Sequence, residues 1–190
     1  KITPEVFSVW MGILQKVPDS VLWIRSAGAS MEKNLCQEAQ SRGVDPARLI
    51  FARRVESMPE HLARYRLADL FLDTFPFCAQ TTASDALWAG LPVLTLMQES
   101  FASRVAGSLL KAMGLPELVA DTPEAYEALA IDLASDSDKL KAIKTKLERN
   151  RLTTTLFDTE RYTRQLESAY QAIWNRYQAD LPPEHLVIGF

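Results

Sequence analysis

The sequence predicts an α/β protein with a Rossmann-like, doubly wound parallel sheet. Apolar runs too short for helices recur at Val21 to Ile24, Leu49 to Phe51, Leu70 to Leu72 and Pro92 to Leu96. Stretches with helical apolar spacing separate them. Crossovers of that length join parallel strands with a right-handed sense and place helices on both faces of the sheet. The first run also lacks the apolar–polar alternation of a half-exposed strand, as expected of a strand covered on both sides.

Element by element, Thr3-Pro4-Glu5 supplies an N-cap, a proline for the first helical position and an acid for the first turn. Val6, Trp10, Ile13, Leu14 and Val17 then follow at helical spacing up to Pro18. After the first strand, Met31 to Arg42 is amphipathic and closes on Gly43, a residue suited to the left-handed position beyond a helix end. The strand at 49–51 leads to Ser57-Met-Pro-Glu60, a capping-box pattern that opens a short helix carrying His61 and Arg64. The strand at 70–72 runs directly into the loop Asp73 to Gln80. Thr81 or Thr82 can cap the next helix, which ends at Gly90, and Pro92 to Leu96 follows as a strand. Helices are predicted over Ala102 to Met113, from Thr122-Pro123-Glu124, from about Asp136, and over about Thr159 to Tyr177, with a brief extended segment at Leu118 to Ala120.

Length and composition set the limits. The chain has 190 residues, 47% of them hydrophobic and 24% charged, which suits one globular domain, assigned to 1–180 with a tail over 181–190. A net charge of -3, without a basic stripe, argues against a nucleic-acid partner. The two cysteines, Cys36 and Cys78, have neither CxxC spacing nor clustered histidines around them, so neither a disulfide nor a metal site is expected. No apolar run approaches the roughly 20 residues that cross a bilayer, and no leader pattern opens the chain; the expectation is a cytoplasmic protein without a membrane partner. Because the chain opens at Lys1 and enters a helix almost at once, it is also expected to be a piece of something longer.

In an open parallel sheet, ligands bind beyond the carboxyl ends of the strands. The loop 73–80 is the strongest candidate, because it joins a buried strand to a helix whose first turn holds Thr81 and Thr82. A helix start offers unpaired N–H groups and a positive dipole end to an anion, and hydroxyls add donors without charge. Asp85, one turn on, can accept bonds from ribose hydroxyls. The alternative is structural: a threonine caps the helix and Asp85 complements its dipole. His61 and Arg64 stand three apart on one helix face, suited to stacking on a base and bonding its edge, or equally to a solvated surface pair. Neither a GxGxxG nor a Walker pattern occurs, and Trp10, Trp23, Trp88 and Trp174 lie among apolar neighbours that suggest core.

The segments Lys-Ile-Thr-Pro (1–4), Val-Pro-Asp-Ser-Val-Leu-Trp (17–23), Leu-Ala-Asp-Leu-Phe-Leu-Asp-Thr (67–74), Thr-Thr-Ala-Ser-Asp-Ala-Leu-Trp-Ala-Gly (81–90) and Phe-Ala-Ser-Arg-Val-Ala-Gly-Ser-Leu (101–109) resemble the O-linked N-acetylglucosamine transferases. The resemblance spans nearly the whole chain and corresponds to the C-terminal lobe of a GT-B enzyme. It implies an inverting, metal-independent transfer of N-acetylglucosamine from UDP-GlcNAc to Ser and Thr hydroxyls of an acceptor protein, with no cofactor. By the same resemblance Lys1 contacts the donor diphosphate and offsets leaving-group charge, Thr81 and Thr82 hold phosphate, Asp85 binds ribose, and His61 with Arg64 meets the uracil. Two positions depart from animal members: Met58 replaces a lysine, and Gln80 replaces the histidine before the Thr-Thr pair. Gln80 still offers a donor, whereas Met58 cannot replace a cation. The family's acceptor-side histidines and tetratricopeptide repeats precede this lobe, so the chain alone is expected to be inactive. The competing expectations are another GT-B glycosyltransferase, of the protein N-glycosyltransferase or small-acceptor type, and a non-catalytic nucleotide-binding scaffold. A flavodoxin-like or receiver domain ranks behind these, lacking its acidic cluster or flavin loop.

Overall fold

A computed structural model describes residues 2–189 of the protein. Helix α1 (Pro4–Lys16) begins where the sequence predicts, with Thr3 Oγ1 accepting the Val6 N–H at 3.2 Å. Strand β1 (Leu22–Arg25) and helix α2 (Ala29–Ser41) precede β2 (Leu49–Ala52), and β1 pairs with β2 in parallel, Trp23 opposite Ile50. The short helix α3 (Met58–Arg64) starts at Ser57, whose hydroxyl accepts the Glu60 N–H, and leads to β3 (Phe71–Leu72). Helix α4 (Thr81–Ala89), β4 (Val93–Leu96), α5 (Phe101–Ala112) and β5 (Val119–Ala120) follow, with β4 lying in parallel between β3 and β5. Three helices close the chain: α6 (Pro123–Ser135), α7 (Ser137–Arg151) and α8 (Thr159–Gln178). Residues 181–189 form neither helix nor strand, and Arg176 holds them back to α8 by bonds to Glu184 and the Pro182 carbonyl.

The strands form two parallel sheets, β1–β2 and β3–β4–β5, and β4 explains why the second has helices on both faces. All four of its residues are buried, and because successive side chains point to opposite faces, they feed two cores. Leu94 and Leu96 join α1, β1, β2 and the Tyr126 and Ala130 side chains of α6 on one face. Val93 joins Ala83 and Leu87 of α4, Leu110 of α5 and Leu147 of α7 on the other. Each such leucine contributes about 1.5–3 kcal/mol by leaving water. The predicted parallel α/β fold is therefore present.

Strand β1 differs from its prediction. Its burial alternates: Leu22 and Ile24 enter the core, whereas Trp23 and Arg25 face outward beside the exposed Ile50. One face of the β1–β2 pair is thus uncovered among the described residues. Of the four tryptophans read as core, only Trp10 is buried. Trp23 lies on that open face, Trp174 lies on α8, which buries no residue of its own, and Trp88 is half-exposed, set edge-on against Phe157 at 5.0 Å beneath the Arg151 guanidinium.

Arg48 fastens the first half. Its guanidinium donates to the Leu14, Val17 and Ser20 carbonyls at 2.6–2.8 Å and to Ser20 Oγ at 3.0 Å, so one side chain satisfies the C-terminal end of α1 and the turn into β1.

Candidate functional site

The loop leaving β3 is built around one buried carboxylate. Asp73 continues the parallel register of β3 against β4, its N–H donating to the Leu94 carbonyl at 3.0 Å, which sets its side chain beside that of Thr95. It is 1% exposed. Oδ2 accepts the Thr95 hydroxyl at 2.7 Å, while Oδ1 accepts the N–H groups of Thr74 at 2.8 Å and Ala79 at 2.7 Å. Burial pushes this carboxyl up from its ordinary 3.8 to about 6, and the three hydrogen bonds oppose the rise without cancelling it.

Neighbouring helices hold the rest of the loop. Tyr126 of α6 donates its hydroxyl to the Asp73 carbonyl at 2.9 Å, and its ring meets buried Phe75 edge-on at 5.6 Å. Burial pushes the Tyr126 phenol far up, so it is a permanent donor. The Cys78 N–H donates to the Ala102 carbonyl of α5 at 2.9 Å, and Cys78 Sγ receives the Ala106 N–H at 3.4 Å. Thr74 Oγ1 closes the tip onto the Phe77 carbonyl at 2.8 Å, and the Phe75–Pro76 peptide is cis.

This frame delivers the chain to α4 in a defined position. Gln80 occupies the N-cap position with no side-chain capping bond, and both Thr81 and Thr82 are exposed in the first turn. The capping role considered for either threonine is therefore not the one they have: the helix starts a residue earlier than such a cap would require. Their hydroxyls and the first-turn N–H groups face outward at the positive end of the helix, an arrangement suited to an anion.

Helix α3 meets α4 one turn further along. His61 Nε2 lies 4.0 Å from Asp85 Oδ2, an ion pair when the imidazole is protonated, and both side chains remain partly open to solvent. The His61 ring packs edge-on against Tyr65 at 5.2 Å, which fixes its tilt. Burial pushes the Tyr65 hydroxyl up, the Asp85 carboxylate reinforces this, and the Arg64 guanidinium opposes it. His61, Arg64, Gln80, Thr81, Thr82 and Asp85 thus fall on two converging helix ends, whereas Lys1 lies outside the described residues. Met58 sits at the start of α3, 60% exposed.

Thr95 and Tyr126 drew no attention in the sequence. A threonine inside an apolar strand, opposite the residue that follows another strand, is the one signal that could have pointed to the buried pair. Among the described residues no three His, Cys, Asp or Glu side chains gather as a metal site, and no helix is long and apolar enough to cross a membrane.

Comparison with known proteins agrees with this architecture. The model of glycosyl transferase family 41 matches residues 1–166. A Caenorhabditis elegans UDP-N-acetylglucosamine--peptide N-acetylglucosaminyltransferase is 40% identical over 98% of this chain, and a probable Arabidopsis thaliana enzyme of the same name is 40% identical over 99%. The chain spans only 16% and 19% of those two relatives. A solved Thermobaculum terrenum O-GlcNAc transferase mutant superposes with a TM-score of 0.85 at 34% identity, covering 91% of this chain and 34% of that one. The parallel α/β architecture is accordingly shared with that transferase, and the chain belongs to glycosyl transferase family 41.

Proposed function

We propose that this chain is the donor-binding lobe of an inverting, metal-independent glycosyltransferase that moves N-acetylglucosamine from UDP-GlcNAc to Ser and Thr hydroxyls of an acceptor protein. The observation that carries this is the convergence of His61 and Asp85, 4.0 Å apart on separate helices, beside the side-chain-uncapped start of α4. In this reading the diphosphate takes the first-turn N–H groups of α4 with the Gln80, Thr81 and Thr82 side chains. Asp85 accepts the ribose hydroxyls, and His61 and Arg64 stack on and bond the uracil. Lys1 supplies the positive charge that offsets the negative charge growing on the departing diphosphate, a role that a cation at that oxygen fills by electrostatic stabilisation. The acceptor and the residue that takes its proton belong to the remainder of a longer protein, so the chain by itself performs no transfer. In this reading the longer protein is cytoplasmic and carries tetratricopeptide repeats ahead of this lobe.

Calorimetric titration with UDP, UDP-GlcNAc, GDP and ADP tests this on the wild type, Thr82→Ala and Asp85→Ala. Selective uridine-nucleotide binding, weakened about tenfold or more by each substitution, is the expected result, because each removes a hydrogen bond involving a charged partner. Equal affinity for all three nucleoside diphosphates would overturn it. A nucleotide-binding scaffold without transfer is the second reading, favoured by exposed Met58 in place of a cation; UDP binding by an intact protein that transfers no sugar would establish it.

A further inference from the structure

We propose that Asp73 is the positioning residue of the donor site: its single Oδ1 atom, by accepting the N–H groups at both ends of the 74–79 segment, sets the path on which the chain enters α4. The proposal rests on the donor-binding reading above and deepens it. Asp73 touches none of the candidate ligand-facing side chains and is almost wholly buried, so it cannot itself contact a nucleotide. What it does is geometric. Thr74 and Ala79 are held to one oxygen at 2.8 and 2.7 Å, and Gln80, the N-cap residue of α4, is the next residue after Ala79.

Three further contacts explain why the carboxylate can serve as a fixed reference. Thr95 anchors its second oxygen to β4, the strand buried on both faces. Tyr126 anchors its own carbonyl to α6, and the Cys78 N–H anchors the far side of the loop to α5. An oxygen tied to the most buried strand defines the position of the α4 start more narrowly than the exposed first turn could define it alone. Since both loop donors are N–H groups, the position requires an acceptor oxygen and not a charge. An asparagine with Oδ1 in the same place preserves both bonds, its amide donating to Thr95 Oγ1 instead of receiving from it.

The test is UDP titration of the intact protein, comparing wild type with Asp73→Ala, Asp73→Asn and Leu147→Ala. The last empties a fully buried position of α7 away from the site and serves as a control for lost stability. Expected are a loss of about tenfold or more in UDP affinity for Asp73→Ala, recovery to within about threefold of wild type for Asp73→Asn, and no loss for Leu147→Ala at a temperature where all are folded. Equal affinities for Asp73→Ala and Leu147→Ala, with a wild type that binds, overturn the positioning role and leave the donor site intact. A wild type that binds no UDP overturns the donor reading and this proposal with it. Should Asp73→Ala not fold, Thr95→Val takes its place: a loss of about threefold supports the role, and unchanged affinity overturns it.

Discussion

The two-stranded β1–β2 sheet and the three-stranded β3–β4–β5 sheet contain similar apolar segments and end differently. Val-Leu-Trp-Ile at 21–24 and Val-Leu-Thr-Leu at 93–96 have the same length and nearly the same hydrophobicity. Strand β4 is buried on both faces, while β1 is buried on one and presents Trp23 to the outside. The half that is sealed on both sides also contains the buried Asp73–Thr95 pair and the candidate donor site. Among the described residues the open half buries no such pair, and Arg48 fastens it at its periphery. The lesson is that a polar pair can shape a binding loop only where surrounding packing excludes water and makes each hydrogen bond count.

The comparison breaks if the halves respond alike to truncation. Leu110→Ala, in the sealed half, is expected to lower unfolding free energy by about 2–5 kcal/mol, through lost burial and the cavity left behind, as measured by denaturant titration. Next in size is the pH response of Asp73. Its folded pKa of about 6 lies above the ordinary 3.8, so the folded state holds the proton more tightly than the unfolded one. This group's contribution is fully favourable below about 3.8 and is lost as pH rises through about 6. Relative to Asp73→Asn, wild-type stability should therefore decline by about 2 kcal/mol between pH 4 and 6.5, and parallel curves would refute it.

Arg48→Ala sharpens the picture of the open half. It frees three carbonyls near the end of α1, and a loss of about 2 kcal/mol is expected by thermal or chemical unfolding. The smallest effect belongs to Trp23→Ser, which removes an outward-facing side chain and should change stability by under about 1 kcal/mol. A loss comparable to that of Leu110→Ala would show that the β1–β2 outer face is covered after all.

Much of the fold was legible because its signals are local. Thr3-Pro4-Glu5 and Thr122-Pro123-Glu124 start helices as read, and the four predicted strands fall within one or two residues of their observed limits. What was hidden depends on partners distant in sequence. Val21 to Ile24 is apolar at every position, so its one-sided burial leaves no mark in the pattern. Asp73 and Thr95 are 22 positions apart and meet only through the β3–β4 register, and Tyr126 reaches the same loop from 53 positions away. His61 and Asp85 could be joined in advance only through the family resemblance, since helix spacing places each on its own helix and says nothing about where the two helices cross.

The ring that Asp73 closes with Thr74 and Ala79 has an engineering corollary. Its endpoints are specified by backbone N–H groups, which every residue but proline supplies, so the identity of the residues between them is chemically separable from where they begin and end. Phe75 and Cys78 pack against neighbouring helices, and at the tip between them the Phe75–Pro76 peptide is cis and the Phe77 carbonyl accepts the Thr74 hydroxyl. Changes to the side chains of the tip should therefore leave the start of α4 where it is, as long as residue 73 keeps an acceptor oxygen.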